Sequence, residues 1–486
     1  MANNRKLVRN SLFVTAGMAV GGALVFLAMV LMARYLGVAD FGIFSTLLAL
    51  VSIIQLFADG GMVNITIRDV ARNPGALQEQ IGFTSTGLLL LSLGLTAMIS
   101  VSLFLWGLSE KLLYSFLFML LAGFSALQGL IFGAAIRARE DMHVTALIGV
   151  AHKAVLAFGI WAVLAGGGGL IAVCAVNFAA NLIQTVWLWY EVNKRYGRVQ
   201  FGFNWIKWKA IFTESLPLGV SLVLRKLTVH LDILLLSVLA TAVAVGLYSS
   251  AYRVLQLIET ASIAFSGVML PRLSQLAKQD RRHFTTTFNH ISVFLFAVSV
   301  PLALWFWLSA NTLIPLFYTA TYADAAPALQ MLGLALMALI PSALLHPAFA
   351  ALGEQKALMK LALISLTLNT ALGVALIFPF TYVGAAIGTA ITEGVVLALG
   401  FYMLKRRGIP FCQVKKLTGV LLCAGFGSLA YLAMPEFGAL TRLALGTLSF
   451  AIVYIAAIVI LKVYTPQDIR TLLKKPEPPV VSGVAP

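Results

Sequence analysis

Along this chain, long apolar runs alternate with short polar breaks, and fourteen of the runs are 18 to 27 residues long. They fall at about 11–33, 41–62, 81–106, 112–136, 145–165, 170–190, 213–239, 244–270, 288–310, 326–352, 357–378, 382–404, 417–434 and 441–461. A helix needs ~20 apolar residues to cross ~30 Å of hydrocarbon, whereas a membrane strand needs about half as many. The runs are continuous rather than alternating, so the pattern predicts helices, not barrel strands. The expected fold class is an all-α integral membrane protein with about fourteen transmembrane helices.

Charge sets the expected orientation, because Lys and Arg near span ends are retained on the cytoplasmic side. With the N-terminus inside, 27 of the 34 basic residues fall in cytoplasmic segments and three, Arg34, Lys111 and Arg442, fall outside. This asymmetry predicts cytoplasmic N- and C-termini in a bacterial inner membrane. It also explains most of the formal charge of +16 as topology and attraction to anionic headgroups, with no nucleic acid as partner. Composition agrees: 60% of residues are apolar and 11% charged, which excludes a soluble two-domain enzyme. The first run is too long for a signal-peptide core and no small-residue cleavage site follows it. Cys174, Cys412 and Cys423 show no metal-ligand spacing, and neither a cofactor nor catalytic residues are expected.

Sliding the sequence by 204 residues lays span 1 on 7, 2 on 8 and 3 on 9, and sets Gly42-Ile43-Phe44-Ser45 over Gly246-Leu247-Tyr248-Ser249. Repeats of six spans each would be parallel, related by an axis along the membrane normal, as in transporters that bind substrate between halves. The expected organisation is an N-terminal lobe over 1–190, an interfacial linker over 191–212 and a C-terminal lobe over 213–404. Appended spans 13 and 14 follow over 405–462, then a cytoplasmic tail over 463–486, disordered at its end. Basic and aromatic residues interleave in the linker, which suits an interfacial helix. Gly17 and Gly21 lie on one helix face and permit close contact. Pro301, Pro341 and Pro347 should kink spans 9 and 10.

Ionisable residues inside spans carry the candidate chemistry. A charge at mid-bilayer costs ~2.5–3.5 kcal/mol on insertion scales, so it faces a partner or a wet cavity. The cations are Lys153, Arg225, Lys226 and Arg253, and the acids Asp232, Glu259 and Glu393, with His346 near them. Two readings stand side by side. The charges pair with each other and hold helices together, or the cations line a cavity for an anionic headgroup, where arginine suits bidentate phosphate contacts. Asp59 and Glu214 lie shallow enough to reach water.

Several segments then fit a known pattern. Arg34-Tyr-Leu-Gly37-Val-Ala-Asp40-Phe41-Gly42, Phe57-Ala-Asp59-Gly-Gly and Arg68-Asp-Val-Ala-Arg72 resemble the N-terminal signature of the Wzx-type flippases, the polysaccharide-export branch of the MATE-like flippase superfamily. Ser215-Leu-Pro217-Leu-Gly219, Leu231-Asp232 and Gly246-Leu-Tyr248 through Arg253 resemble its second-half pattern. The resemblance covers essentially the whole chain. It implies two six-helix lobes plus two C-terminal helices, and a carrier rather than an enzyme. Its cargo would be an undecaprenyl-pyrophosphate-linked oligosaccharide for O-antigen or exopolysaccharide, moved to the outer leaflet by alternating access. It further implies that Arg225, Lys226 and Arg253 contact phosphate, with Lys153 opposite. Asp232, Glu259, Glu393 and His346 would serve in coupling or charge pairing, and Arg34, Gly37, Asp40, Gly42, Asp59, Gly246 and Tyr248 as structural motif residues. Membrane lipids and the polymerase and export components of a polysaccharide pathway are the implied partners. The alternatives are a MATE-type multidrug exporter, disfavoured because span 1 carries no charge, and a lipid II flippase.

Overall fold

A computed structural model shows an almost entirely α-helical chain, with no strand among the described residues. Residues 2–464 are described, except 106, 108, 140, 436 and 437; the side chains of 2–16, 18, 19, 71, 74, 207, 216–218, 220–226, 228, 263 and 279 lie outside the description. Most of the expected tail over 463–486 is likewise outside it. In chain order the helices are α1 (Ala2–Asp59), α2 (Met62–Arg72), α3 (Leu77–Leu105), α4 (Glu110–Ala138), α5 (Met142–Ala165), α6 (Leu170–Tyr196) and α7 (Trp205–Leu239). There follow α8 (Ala242–Gln279), α9 (Arg281–Phe317), α10 (Ala326–Ser342), α11 (Leu345–Ala351), α12 (Gln355–Arg406), α13 (Val414–Leu432) and α14 (Ala439–Ile460).

Two of these are too long to be single spans. Helix α1 has 58 residues and α12 has 52, which if straight would measure about 87 and 78 Å against ~30 Å of hydrocarbon. Each is broken. Helix α1 leaves helical geometry at Gly37 (φ 78°, ψ 172°), a conformation open to a residue without Cβ. Helix α12 breaks at Thr381 (φ 50°, ψ −128°), just after Pro379. Its limbs then fold back: a Cβ on Gly384 would lie 2.0 Å from the Leu376 carbonyl oxygen and one on Gly388 3.5 Å from the Leu372 side chain. Both pairs are centred on residue 380, which is the signature of an antiparallel helical hairpin.

The fourteen apolar runs therefore map onto α1 and α12, two spans each, and onto α3 to α10, α13 and α14. The amphipathic α2 lies outside the spanning set and the short α11 completes span 10, so the equal count of helices and runs is a coincidence. Ten described segments are long and apolar enough to cross a membrane, with Val20–Asp59 and Gln355–Arg406 each counted once. The chain is a multi-pass membrane protein.

Span 10 is interrupted between Ser342 and Leu345, beside Pro341, whereas α9 continues as a helix through Pro301. The expected interfacial helix over 191–212 is not a separate element. Helix α6 takes residues up to Tyr196, α7 starts at Trp205, and 197–204 between them is not helical. Gly197 adopts φ 92°, and the chain then lies along α3, where the Gln200 N–H donates to the Gln78 carbonyl at 3.2 Å. The aromatics of this segment stack as Phe83 on Phe203 (6.5 Å), Trp205 on Trp208 (5.6 Å) and Trp208 on Phe212 (5.2 Å).

Contacts divide the chain into two compact units, Met1–Ser249 and Ser250–Pro486, with the division inside α8. In the first, α4 is enclosed by its neighbours, with Leu120, Leu127 and Ile131 buried. Helix α1 packs on α5 through its glycines: a Cβ on Gly17 would meet Val150 and Ala146, and one on Gly21 the Lys153 side chain. In the second unit α9 and α10 form the core, with Phe288, Val300, Leu332 and Leu336 buried.

The closest helix approach in the first unit joins α1 to the start of α8. A Cβ on Gly42 would fall 1.8 Å from the Ala242 carbonyl oxygen, and one on Gly246 would fall 2.1 Å from that of Val38. The 204-residue offset carries 42 onto 246 and 38 onto 242. These are one contact made twice, the reciprocity that a twofold relation between the two segments generates.

Candidate functional site

Lys153 lies 11 residues into α5 and Arg253 11 residues into α8, each about 16 Å along its helix. Their surroundings differ. Lys153 is half-buried, its stem against Gly21 of α1. The adjacent His152 has its Nε2 buried with no hydrogen-bond partner among the described residues.

Arg253 belongs to the second unit and is 9% exposed. Its Nη1 donates to Gln256 Oε1 at 2.9 Å, while its Nε is buried with no acceptor among the described residues. Glu259, one of the acids that the pairing reading offered, instead accepts from the Tyr252 hydroxyl at 3.3 Å. Tyr318, at the end of α9, lies within electrostatic reach of the guanidinium. Its hydroxyl donates to the Ser250 carbonyl at 2.8 Å and its ring rests on Tyr322 at 5.3 Å. Arg253 thus has Gln256, Tyr252 and Tyr318 around it, with no carboxylate paired to it among the described residues. Sequence analysis singled out only ionisable and motif residues, and so passed over Tyr318, Tyr322 and Gln256.

Asp232, in the first unit, is 7% exposed and accepts from the Tyr248 hydroxyl at 2.5 Å, tying α7 to α8. The side chains of Arg225 and Lys226 lie outside the described residues. Glu393 is half-buried on the second limb of α12, and His346 is exposed at the start of α11.

The motif residues build turns. Asp59, expected to reach water, is instead 7% exposed and accepts the N–H groups of Val63 (2.9 Å) and Gly61 (3.3 Å). It caps the start of α2 across Gly60 (φ 51°) and Gly61 (φ 86°), a geometry that draws the carboxylate inward. Gly219 of α7 fits against this turn, where a Cβ would come 2.4 Å from the Gly60 carbonyl oxygen. Arg68 of α2 bridges Asp69 (2.7 Å) and Glu214 (2.8 Å), and those carboxylates hold its pKa above the ordinary guanidinium value. Near the opposite end of the spans, Asp40 pairs with Lys111 at 2.6 Å, while Arg34 is exposed.

Known proteins place this architecture. The fold is similar to that of a lipid II flippase, MurJ, in an inward closed conformation, with a TM-score of 0.77 over 94% of this chain and 100% of that one at 15% identity. It is also similar to a multidrug resistance MATE family transporter of the MOP superfamily, with a TM-score of 0.64 over 82% of this chain and 98% of that one at 16% identity. At such identities the likeness is one of fold. In sequence, the capsular polysaccharide biosynthesis protein CapF of Staphylococcus aureus is 26% identical over 242 residues, 49% of this chain. The match spans 59% of that relative's length. A sequence profile of polysaccharide biosynthesis proteins matches residues 7–277, more than half of the chain, and on that match the chain belongs to the polysaccharide biosynthesis protein family.

Proposed function

We propose that the chain is a flippase that carries a polyprenyl-pyrophosphate-linked oligosaccharide from the cytoplasmic to the outer leaflet of a bacterial inner membrane. The observation that carries this reading is Arg253: a buried mid-span cation with an unused Nε–H and no carboxylate paired to it among the described residues. A charge held there at ~2.5–3.5 kcal/mol of insertion cost calls for a compensating anion. A pyrophosphate supplies one, and guanidinium geometry suits it. A glycan and a pyrophosphate cannot cross hydrocarbon unaided, so a wet cavity would take the headgroup while the prenyl chain stays in lipid.

In this reading the six-span lobes over 1–190 and 213–404 alternate access, and Lys153, Arg225 and Lys226 join Arg253 in binding phosphate. The basic connections lie in the cytoplasm with both termini. The membrane potential, worth ~2.3 kcal/mol per charge per 100 mV, could drive export of an anionic cargo. A polymerase outside would consume the product. Replacing Arg253 with Gln should abolish surface polysaccharide and leave lipid-linked repeat units on the inner leaflet, with folded protein at normal abundance; Arg253→Lys should restore part of the export. Unchanged polysaccharide together with altered drug resistance would overturn the flippase reading in favour of the MATE-type exporter.

A further inference from the structure

The first unit contains an apolar groove outside the intramembrane cations. Helices α3 and α6 flank it and α4 forms its floor, enclosing a volume of about 400 Å³. Its walls are Leu89 and Leu93 from α3, and Leu182, Val186 and Trp189 from α6, all exposed along the rim. The polar groups in the floor are largely satisfied within the protein: Ser85 donates to Gln128 at 2.7 Å and Thr185 to the Ser125 carbonyl at 2.6 Å. What the groove offers a ligand is carbon.

Its length and its rim identify the ligand. On α3 it runs from Ser85 to Thr96 and on α4 from Leu121 to Phe132, about 16 Å in each case, which is one leaflet of a ~30 Å hydrocarbon core. It opens sideways between exposed leucines, toward lipid. The end nearest the basic connection is closed by Phe201, three residues beyond Arg198 and close in sequence to the end of α6 that carries Lys194 and Arg195. Lys194 and Arg198 are exposed, Arg139 stands over the Tyr196 ring at 5.8 Å, and the nearby acids are already engaged, Glu191 by Arg195 and Asp141 by Tyr196. A cationic rim at headgroup depth above an apolar trough one leaflet long matches an anionic phospholipid. We propose that this groove holds one acyl chain of an anionic phospholipid of the basic-side leaflet, with its headgroup on Lys194 and Arg198.

The test uses the full chain in detergent, stripped of lipid and titrated with phosphatidylglycerol or phosphatidylcholine of the same chains, brominated so that bound lipid quenches Trp189. Trp189→Phe defines that residue's share of the quenching. Two basic side chains near a headgroup should favour phosphatidylglycerol by about 30-fold in affinity. Lys194→Ala with Arg198→Ala should remove that preference and leave the weaker binding of both lipids, and Leu182→Trp, which fills the trough, should remove quenching by either. Equal affinity for the two lipids, or quenching unaltered by these changes, would overturn the assignment. Preferential binding of a polyprenyl phosphate that displaces phosphatidylglycerol would also overturn it, giving the trough to a prenyl chain instead. None of these readouts depends on export, so they stand or fall separately from the flippase reading.

Discussion

The reciprocal glycine contact between α1 and α8 permits a sharp test, because removing it should reverse the sign of an ordinary effect. In an unobstructed helix, Gly→Ala stabilises by about 0.5–1 kcal/mol through backbone entropy. Gly94 of α3, with nothing within 4 Å of a Cβ, is the control and should show that gain. At Gly42 the new methyl would stand 1.8 Å from the Ala242 carbonyl oxygen, where ordinary contact begins at 3.4 Å, so the helices must part by about 1.6 Å. Such overpacking costs about 1–3 kcal/mol, which outweighs the entropic gain. Gly246→Ala should cost a similar amount against Val38. Once the helices have parted for one methyl, the other enters with little further cost, so the double variant should lose at least about 1 kcal/mol less than the sum of the singles. Reversible denaturant unfolding in mixed micelles measures all four variants. Stabilisation by Gly42→Ala comparable to that by Gly94→Ala, or strictly additive losses at 42 and 246, would refute the shared contact.

The remaining predictions concern single interactions. Tyr248→Phe removes the hydroxyl that donates to buried Asp232 and should cost about 1.5–3 kcal/mol in the same unfolding assay. Thr381→Gly should relieve the positive-φ conformation between the limbs of α12 and stabilise by about 1 kcal/mol; a loss of stability would show that the Thr381 side chain holds the turn. Asp280 caps α9, accepting from the Arg282 N–H at 2.6 Å and pairing with His283 at 2.7 Å. The His283 hydrogen bond, first, and the Arg282 N–H hold its carboxyl below the usual value of 3.8. Its contribution is therefore present above pH 3.8 and lost as pH falls through the lower folded value, and in Asp280→Asn that acid-dependent loss should disappear from a melting-temperature profile taken below pH 5.

How much was legible in the sequence varies with the range of the interaction. Span positions could be read because lipid imposes a local rule: every backbone polar group must be satisfied within the segment, so apolar length maps directly onto helices. Gly37 and Asp59 were visible as motif residues, but the capping geometry that buries Asp59 depends on the left-handed pair Gly60 and Gly61 and could not be read from composition. Among the linker aromatics, Trp205 and Trp208 lie in α7 while Phe201 and Phe203 lie outside any helix, and the stacking of Phe203 on Phe83 of α3 is a contact between residues more than 100 positions apart.

By itself the sequence determined the membrane class, the helical spans, the basic asymmetry and the presence of four cations within apolar runs, all of which are read within about 20 residues. Only the tertiary structure decided what those charges and glycines meet. It set Asp232 against Tyr248 and Glu259 against Tyr252, left the Arg253 Nε without an acceptor among the described residues, and turned a faint 204-residue repeat into a reciprocal helix contact. Partners are chosen by packing across distant segments. A one-dimensional pattern carries the cost of burying a charge, but not the identity of the group beside it.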